Sequence, residues 1–275
     1  MKAPEFDYQY ASSLAHASEL LSNAGGQAKL IAGGQSLLQL LNQRLIAPQL
    51  LVDIRHIDAL KDIKEHEEKI EIGACVTSAA LEDGVVAGTA GELLAHVASQ
   101  IGYRSVRNQG TLGGAVAFAD PAGDWPATMM SLNAVINVLG SGGEREISIH
   151  EFYRAPFVSV LQDTEIIVSL SIPKLASHTK WSYWKFSPTI GEVTKAIGIA
   201  IRDPEISDHR LALGAANGIP CRPTGIEDAW QAHNAAYADR DAMKRTIAAL
   251  DVADDDYKLQ CLTIAAERAI AGTYP

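Results

Sequence analysis

Apolar and polar positions alternate over residues 6–10, which predicts a short strand. Leu14, Ala17 and Leu21 then recur at helical spacing behind Ser12 and Ser13, either of which can cap a helix, and Asn23-Ala-Gly-Gly26 stops it. Residues 28–32 (AKLIA) form a short apolar run of the kind a buried strand shows. Gly33-Gly34 follows at once, and Leu37, Leu38, Leu41 and Leu45 fall along one side of a helix ended by Pro48. Residues 50–54 (LLVDI) predict a third strand, so the opening stretch reads as a small α/β unit.

The pattern then changes. Residues 63–64 and 70–72 flank the charged turn 66–69 as a hairpin. Thr77 can cap a short helix through Leu81, and Leu94, Val97, Ala98 and Ile101 mark a second helix over 91–101. A helix through 129–132 and strands at 134–139, 144–149 and 164–172 follow, closed by Pro173. Three more strand-like runs, 181–186, 194–201 and 210–215, precede an Ala-rich helical tail with its best windows at 239–250 and 256–270. No internal repeat and no low-complexity linker interrupts this order. It divides the chain into 1–59, 60–175 and 176–275.

Charge narrows the function. Among the 275 residues, 33 acids oppose 23 bases, a net charge of −10, and no dense Lys/Arg run is present. That argues against a nucleic-acid or anionic-membrane binder. It leaves room for an anionic small ligand, because backbone amides hold phosphates without net positive charge. The 3 cysteines are scattered, with no CxxC, which argues against a zinc ribbon or iron–sulfur cluster held by this chain alone. No HExxH or close His pair suggests a metal, and no triad or paired-carboxylate motif suggests a catalytic residue of its own. The start of the chain lacks an apolar signal core, and no stretch is apolar enough to span a membrane. A cytoplasmic protein is expected.

Two glycine loops carry the candidate chemistry. In Leu30-Ile-Ala-Gly-Gly-Gln-Ser-Leu37 a buried strand runs through two glycines into a helix. Glycine permits sharp turns and close backbone approach, and a helix start offers free N–H donors, so the segment suits a phosphate. Ser36 can add a hydroxyl or cap the helix, and a tight turn without a ligand would need glycines too. The second loop, Thr111-Leu-Gly-Gly114, also joins paired glycines to a hydroxyl residue, here ahead of them. Two such loops suit the two phosphates of a dinucleotide. Neither is a GxGxxG in the Rossmann context that marks an NAD site.

AGGQSL at 32–37 and RNQGTLGGAVAFADPAGDWPA at 107–127, in that order, resemble the FAD-binding medium subunit of molybdenum hydroxylases. That family includes the medium subunits of aerobic carbon monoxide dehydrogenase and bacterial N-heterocycle hydroxylases, and the flavin domain of xanthine dehydrogenase. The likeness covers essentially the whole chain. It implies an α+β chain: a two-subdomain FAD-binding fold of the vanillyl-alcohol-oxidase (PCMH) type, plus a C-terminal domain with a three-stranded antiparallel sheet and helices. FAD would lie between the parts. Leu30, Ile31, Ala32, Gly33, Gly34, Gln35, Ser36 and Leu37 on one loop, and Thr111, Gly113, Gly114 and Ala115 on the other, would hold its pyrophosphate. Asp124 would bond the adenosine side, Leu161 would pack on the cofactor, and Lys185 of Tyr-Trp-Lys-Phe would sit near the flavin ring. Local roles compete with each: Asp124 as a helix cap, Leu161 as core, Lys185 as a solvated strand residue. Tyr183 and Lys185 alternate with Trp184, so they share one strand face.

The resemblance further implies a large molybdopterin-binding subunit and a small subunit with two [2Fe–2S] clusters, arranged as a dimer of heterotrimers (a heterohexamer). Electrons would pass from those clusters through this chain's FAD to an external acceptor. The basic residue common after the Lys, and the next aromatic, are missing in Ser187-Pro-Thr-Ile-Gly-Glu-Val-Thr194. The Cys-rich insertion of the branch with an extra cluster is also missing. A self-sufficient FAD-dependent oxidoreductase of the same fold superfamily is the alternative, and it would need an aromatic-rich substrate pocket that the C-terminal region does not suggest. A non-catalytic module that has lost FAD is opposed by the two intact loops.

Overall fold

A computed structural model describes residues 2–189, 192–233, 237 and 239–275. The chain begins with strands β1 (Asp7–Tyr10), β2 (Ala28–Ile31) and β3 (Leu50–Asp53), which pair in parallel in the order β1-β3-β2. Parallel neighbours need crossovers, and α1 (Leu14–Asn23) and α2 (Leu37–Asn42) lie in them. Ser13 caps α1 by accepting from the His16 amide, and α1 buries Ala17 and Leu21. The leucine pattern predicts a longer α2. The helix stops at Asn42 because Arg44 turns left-handed, with φ +58°.

The second sheet contains β4 (Ile63–Glu65), β5 (Lys69–Gly73), β6 (Val135–Gly140) and β7 (Gly143–Ser148). Between β5 and β6 run α3 (Ser78–Glu82), α4 (Gly88–Ser99), α5 (Arg104–Arg107), α6 (Leu112–Phe118) and α7 (Asp124–Ser131). After β7 come α8 (Ile149–Phe152), a small hairpin of β8 (Tyr153–Ala155) and β9 (Val158–Ser159), and then β10 (Ile166–Pro173). The five long-range strands order as β4-β5-β10-β6-β7, antiparallel throughout.

The third sheet is an antiparallel meander of β11 (Lys180–Phe186), β12 (Ala196–Asp203) and β13 (Asp208–Gly214). Helices α9 (Thr224–His233), α10 (Arg240–Ala248) and α11 (Asp256–Ala271) complete the chain. A Cβ at Gly198 would stand 2.3 Å from the Ala265 carbonyl oxygen, so glycine is what lets α11 lie so close on β12. Trp230, Leu262 and Ala265 belong to the core there.

Helix α7 joins these parts. All eight of its residues are buried. Pro126 falls in its first turn, where a missing N–H costs nothing. Trp125 donates its indole N–H to Ser78 Oγ at 3.0 Å, and Ala127 abuts Gly214 of β13. One hydrophobic core therefore extends from Ala11 to Ala215, with Ile197, Ile199 and Ile201 of β12 inside it. Apart from the short hairpin β8–β9, the strands stand close to where the sequence runs predict them. The one-turn helices α5 and α8 lie outside the predicted helices, as do α6, hidden in a run of Gly and Ala, and α9, which follows two prolines.

Candidate functional site

Leu30 and Ile31 close strand β2, and Ala32, Gly33, Gly34, Gln35 and Ser36 form the half-buried loop before Leu37 opens α2. The loop begins at the C-terminal end of a parallel sheet, where such folds place ligands. Among the described residues, the backbone amides of 33–37 donate to no protein acceptor. Ser36 stands at the N-cap position of α2, yet its hydroxyl accepts no cap hydrogen bond. Gly34 takes φ +70°, a conformation that side chains disfavour. Five consecutive free amides beside a free hydroxyl form an anion cradle.

The second loop is built differently. Thr111 caps α6, its hydroxyl accepting from the Gly114 amide at 3.2 Å. The Gly113 amide donates to the Ala74 carbonyl at 2.9 Å and the Ala115 amide to the Thr111 carbonyl at 3.0 Å. Leu112 donates to Val76 and Ser78 to Gly110, so the loop is stitched to the segment after β5. The expectation of a second amide cradle is thereby corrected for Gly113, Gly114 and Ala115, whose donors are already engaged. Gly114 remains exposed, and the Thr111 hydroxyl hydrogen is free to donate.

The two loops touch. A Cβ at Gly33 would lie 2.0 Å from the Gln109 carbonyl oxygen and 2.9 Å from Gly110 Cα. Gly33 is therefore glycine because a neighbouring loop occupies its flank. Arg107 anchors that neighbour. It is 9% exposed, and its guanidinium donates to both Glu82 oxygens, at 2.7 and 2.8 Å, and to the Ile101 and Gly102 carbonyls. Arg104 adds contacts to Glu82 and Asp83. The hydrogen bond from Arg107, and next that from Arg104, hold the Glu82 carboxyl below the usual range. Sequence reasoning missed this anchor. Its one trace was Arg107 at the head of the glycine-rich run.

Asp124 and Lys185, set by the resemblance toward opposite ends of a cofactor, meet directly. The Lys185 ammonium donates to both Asp124 oxygens at 3.0 Å and to the Gln100 carbonyl at 3.3 Å. Tyr183, two residues earlier on the same face of β11, donates its hydroxyl to Asp124. The three side chains therefore form one cluster, with Asp124 and Lys185 side by side. Asp124 is the first residue of α7 rather than its cap, which is Gly123. Burial pushes its carboxyl above the usual range, against the pull of Lys185. Burial and the nearby carboxylate likewise push the Tyr183 phenol up. Lys185 is no solvated strand residue: its side chain keeps 20% of its surface. Leu161 lies just past the hairpin, half-buried, and packs against the main core.

The family described as "FAD binding domain in molybdopterin dehydrogenase" matches residues 4–175. The 6-hydroxypseudooxynicotine dehydrogenase complex subunit alpha of Paenarthrobacter nicotinovorans is 32% identical over 281 residues, spanning 98% of this chain and 95% of that protein. The carbon monoxide dehydrogenase medium chain of Hydrogenophaga pseudoflava is 32% identical over 78% of this chain and 75% of its own length. Among solved structures, carbon monoxide dehydrogenase from H. pseudoflava superposes with a TM-score of 0.90 at 28% identity, over 99% of this chain and 98% of that one. Quinoline 2-oxidoreductase from Pseudomonas putida 86 gives 0.84 at 26% identity, over 99% and 98%.

Proposed function

The chain belongs to the family of FAD-binding domains of molybdopterin dehydrogenases, and on that premise we propose how its residues serve FAD and with what it assembles. It is the FAD-binding subunit of a heteromeric molybdenum-containing oxidoreductase. The observation that carries the placement is the run of five free amides at 33–37 beside the uncapped Ser36 hydroxyl. These donors would hold the pyrophosphate, and Thr111 would reach it with its hydroxyl. Gly113, Gly114 and Ala115 would line the approach without donating. FAD, when bound, supplies two-electron redox chemistry that can also proceed one electron at a time.

The chain's own part is binding, orientation and electrostatics. Lys185 neutralises Asp124 and Tyr183 adds a hydrogen bond to it, so the buried carboxylate is paired rather than bare. We assign this pair to the isoalloxazine end, and Leu161 to packing on the cofactor. Because Asp124 holds the ammonium, the flavin would meet an ion pair rather than a lone positive charge. The fold is read as the two-subdomain PCMH type with a C-terminal domain. Its partners would be a large molybdopterin subunit and a small [2Fe–2S] subunit, in a dimer of heterotrimers that delivers electrons to an external acceptor.

The purified chain should be yellow, and acid should release FAD rather than FMN. A colourless chain that takes up no added FAD would overturn the placement. Pull-down should return a large molybdenum-containing subunit and a small Cys-rich one. Turnover of a substrate with oxygen by the isolated chain would favour a self-sufficient oxidoreductase instead.

A further inference from the structure

The last three strands bring basic residues into one row. Lys180 of β11 stands opposite Arg202 of β12, and Arg202 stands opposite His209 of β13. Directly opposed residues share a face of the sheet. Here it is the face of Ala200 and Leu211, a pair two residues further along, which packs in one core with Trp230 of α9 and Leu262 of α11. Lys180 is exposed, whereas His209 keeps only 6% of its surface. The row lies at the far end of β11 from Lys185, about 17 Å along the strand.

Four side chains close around the inner end of the row. The His209 ring meets Trp230 edge-on, with centroids 4.7 Å apart. The Trp230 indole N–H donates to the Tyr274 hydroxyl at 2.9 Å. The Arg202 guanidinium lies 4.2 Å from the centre of the Tyr274 ring and donates to the Thr273 carbonyl at 3.0 Å. Yet Arg202 Nε and both His209 ring nitrogens are buried with no hydrogen-bond partner among the described residues. Either tautomer of His209 carries an N–H, so two buried donors lack an acceptor. The acids around the row are already engaged. Asp203 accepts from His178 and Thr179, and Asp208 from Arg210. Glu227, three residues before Trp230, is held by Arg222 and the Leu211 amide.

We propose that Arg202 and His209, with Lys180 at the mouth, bind one small monovalent anion of the size of chloride. Like charges directly opposite one another on neighbouring strands repel. Water would satisfy the two donors, but only an anion also answers the facing charges of Lys180 and Arg202. The burial of His209 and Trp230 limits the size of the ion, and exposed Lys180 gives it a way in. Thr273 and Tyr274 cover the site, so the ion fastens the segment after α11 onto the sheet. That segment already lies close: a Cβ at Gly272 would stand 2.2 Å from Ser182 Oγ, two residues beyond Lys180 on β11.

The test follows the melting temperature of the full chain as chloride replaces gluconate, an anion too large to enter, at constant ionic strength. Tm is expected to rise by about 3 °C once chloride exceeds its dissociation constant about tenfold. Lys180→Gln removes the facing charge at the exposed end. It should raise Tm in gluconate, where Lys180 and Arg202 repel, and lose most of the response to chloride. A merely structural role for Lys180 would not give those two opposite changes. His209→Phe keeps a ring against Trp230 and removes the donor, so it should flatten the chloride response without the gain in gluconate. An unaltered chain whose Tm ignores chloride would overturn the proposal, because water alone would then serve the two donors. A chloride response that persists in both variants would place the ion elsewhere, as on the amides of 33–37, and overturn it too.

Discussion

In the loop after β2, the amides of residues 33–37 have no acceptor among the described residues. In the loop before α6, Leu112, Gly113, Gly114 and Ala115 all donate to protein oxygens. Both loops spell a glycine pair close to a hydroxyl residue, which follows the pair in the first and precedes it in the second. The first keeps its donors open and its hydroxyl free. The second uses its donors to fix itself, and its hydroxyl caps a helix. Paired glycines thus mark close approach, but what approaches differs. At Gly33 it is the Gln109 carbonyl, and at Gly113 it is Ala74.

The largest expected effect comes from breaking the contact between the loops. Gly33→Val should destabilise the chain by about 3 kcal/mol through overpacking, read by denaturant titration, and flavin should be lost with it. Wild-type stability in that variant would mean that the loops part easily. Next comes the anchor: Arg107→Met should cost about 2 kcal/mol, the scale of hydrogen bonds to a charged group. The anchor also has an acid limit. Glu82 and Asp83 are held below their ordinary values, chiefly by hydrogen bonds from Arg107 and Arg104 respectively. A lowered folded value means stabilisation that is present above the unfolded value and lost as pH falls through the folded one. Stability should therefore drop only below about pH 4, and Glu82→Gln should flatten that limb of the stability–pH curve. A flat limb in the unaltered chain would show that the pair adds nothing.

The smallest changes separate the two hydroxyls. Thr111→Val removes a cap and should cost about 1 kcal/mol of stability. Ser36→Ala removes no protein hydrogen bond and should stay within about 0.5 kcal/mol, while FAD affinity falls about tenfold, as for a lost bond to a phosphate. Equal stability losses in the two variants would erase the distinction between the loops.

The strands were legible because burial on one or both faces imprints a period that polar breaks delimit. Residues 28–32 and 50–54 show it plainly. The caps at Ser13 and Thr77 were legible for the same local reason. The pairing of Asp124 with Lys185 was not, since it joins residues 61 positions apart, one on helix α7 and one on strand β11. What the sequence did carry was the shared face of Tyr183 and Lys185. The Arg107 anchor stayed hidden because its partner, Glu82, lies on another helix and matches no spacing rule. The hairpin tip at Phe157 left no trace either, as a left-handed phenylalanine looks like any other in sequence.

The recognised family region stops at residue 175, but the main core does not. Ala127 of the buried helix α7 rests on Gly214, and Ile197, Ile199 and Ile201 fill the space beside it. A fragment cut at that point would bare the far side of α7 and lose Lys185, leaving Asp124 without its counter-ion. The end of the family match is thus not the end of the packed core. The C-terminal third is a folding partner of the flavin site, and exchanging it between relatives would require exchanging α7 with it.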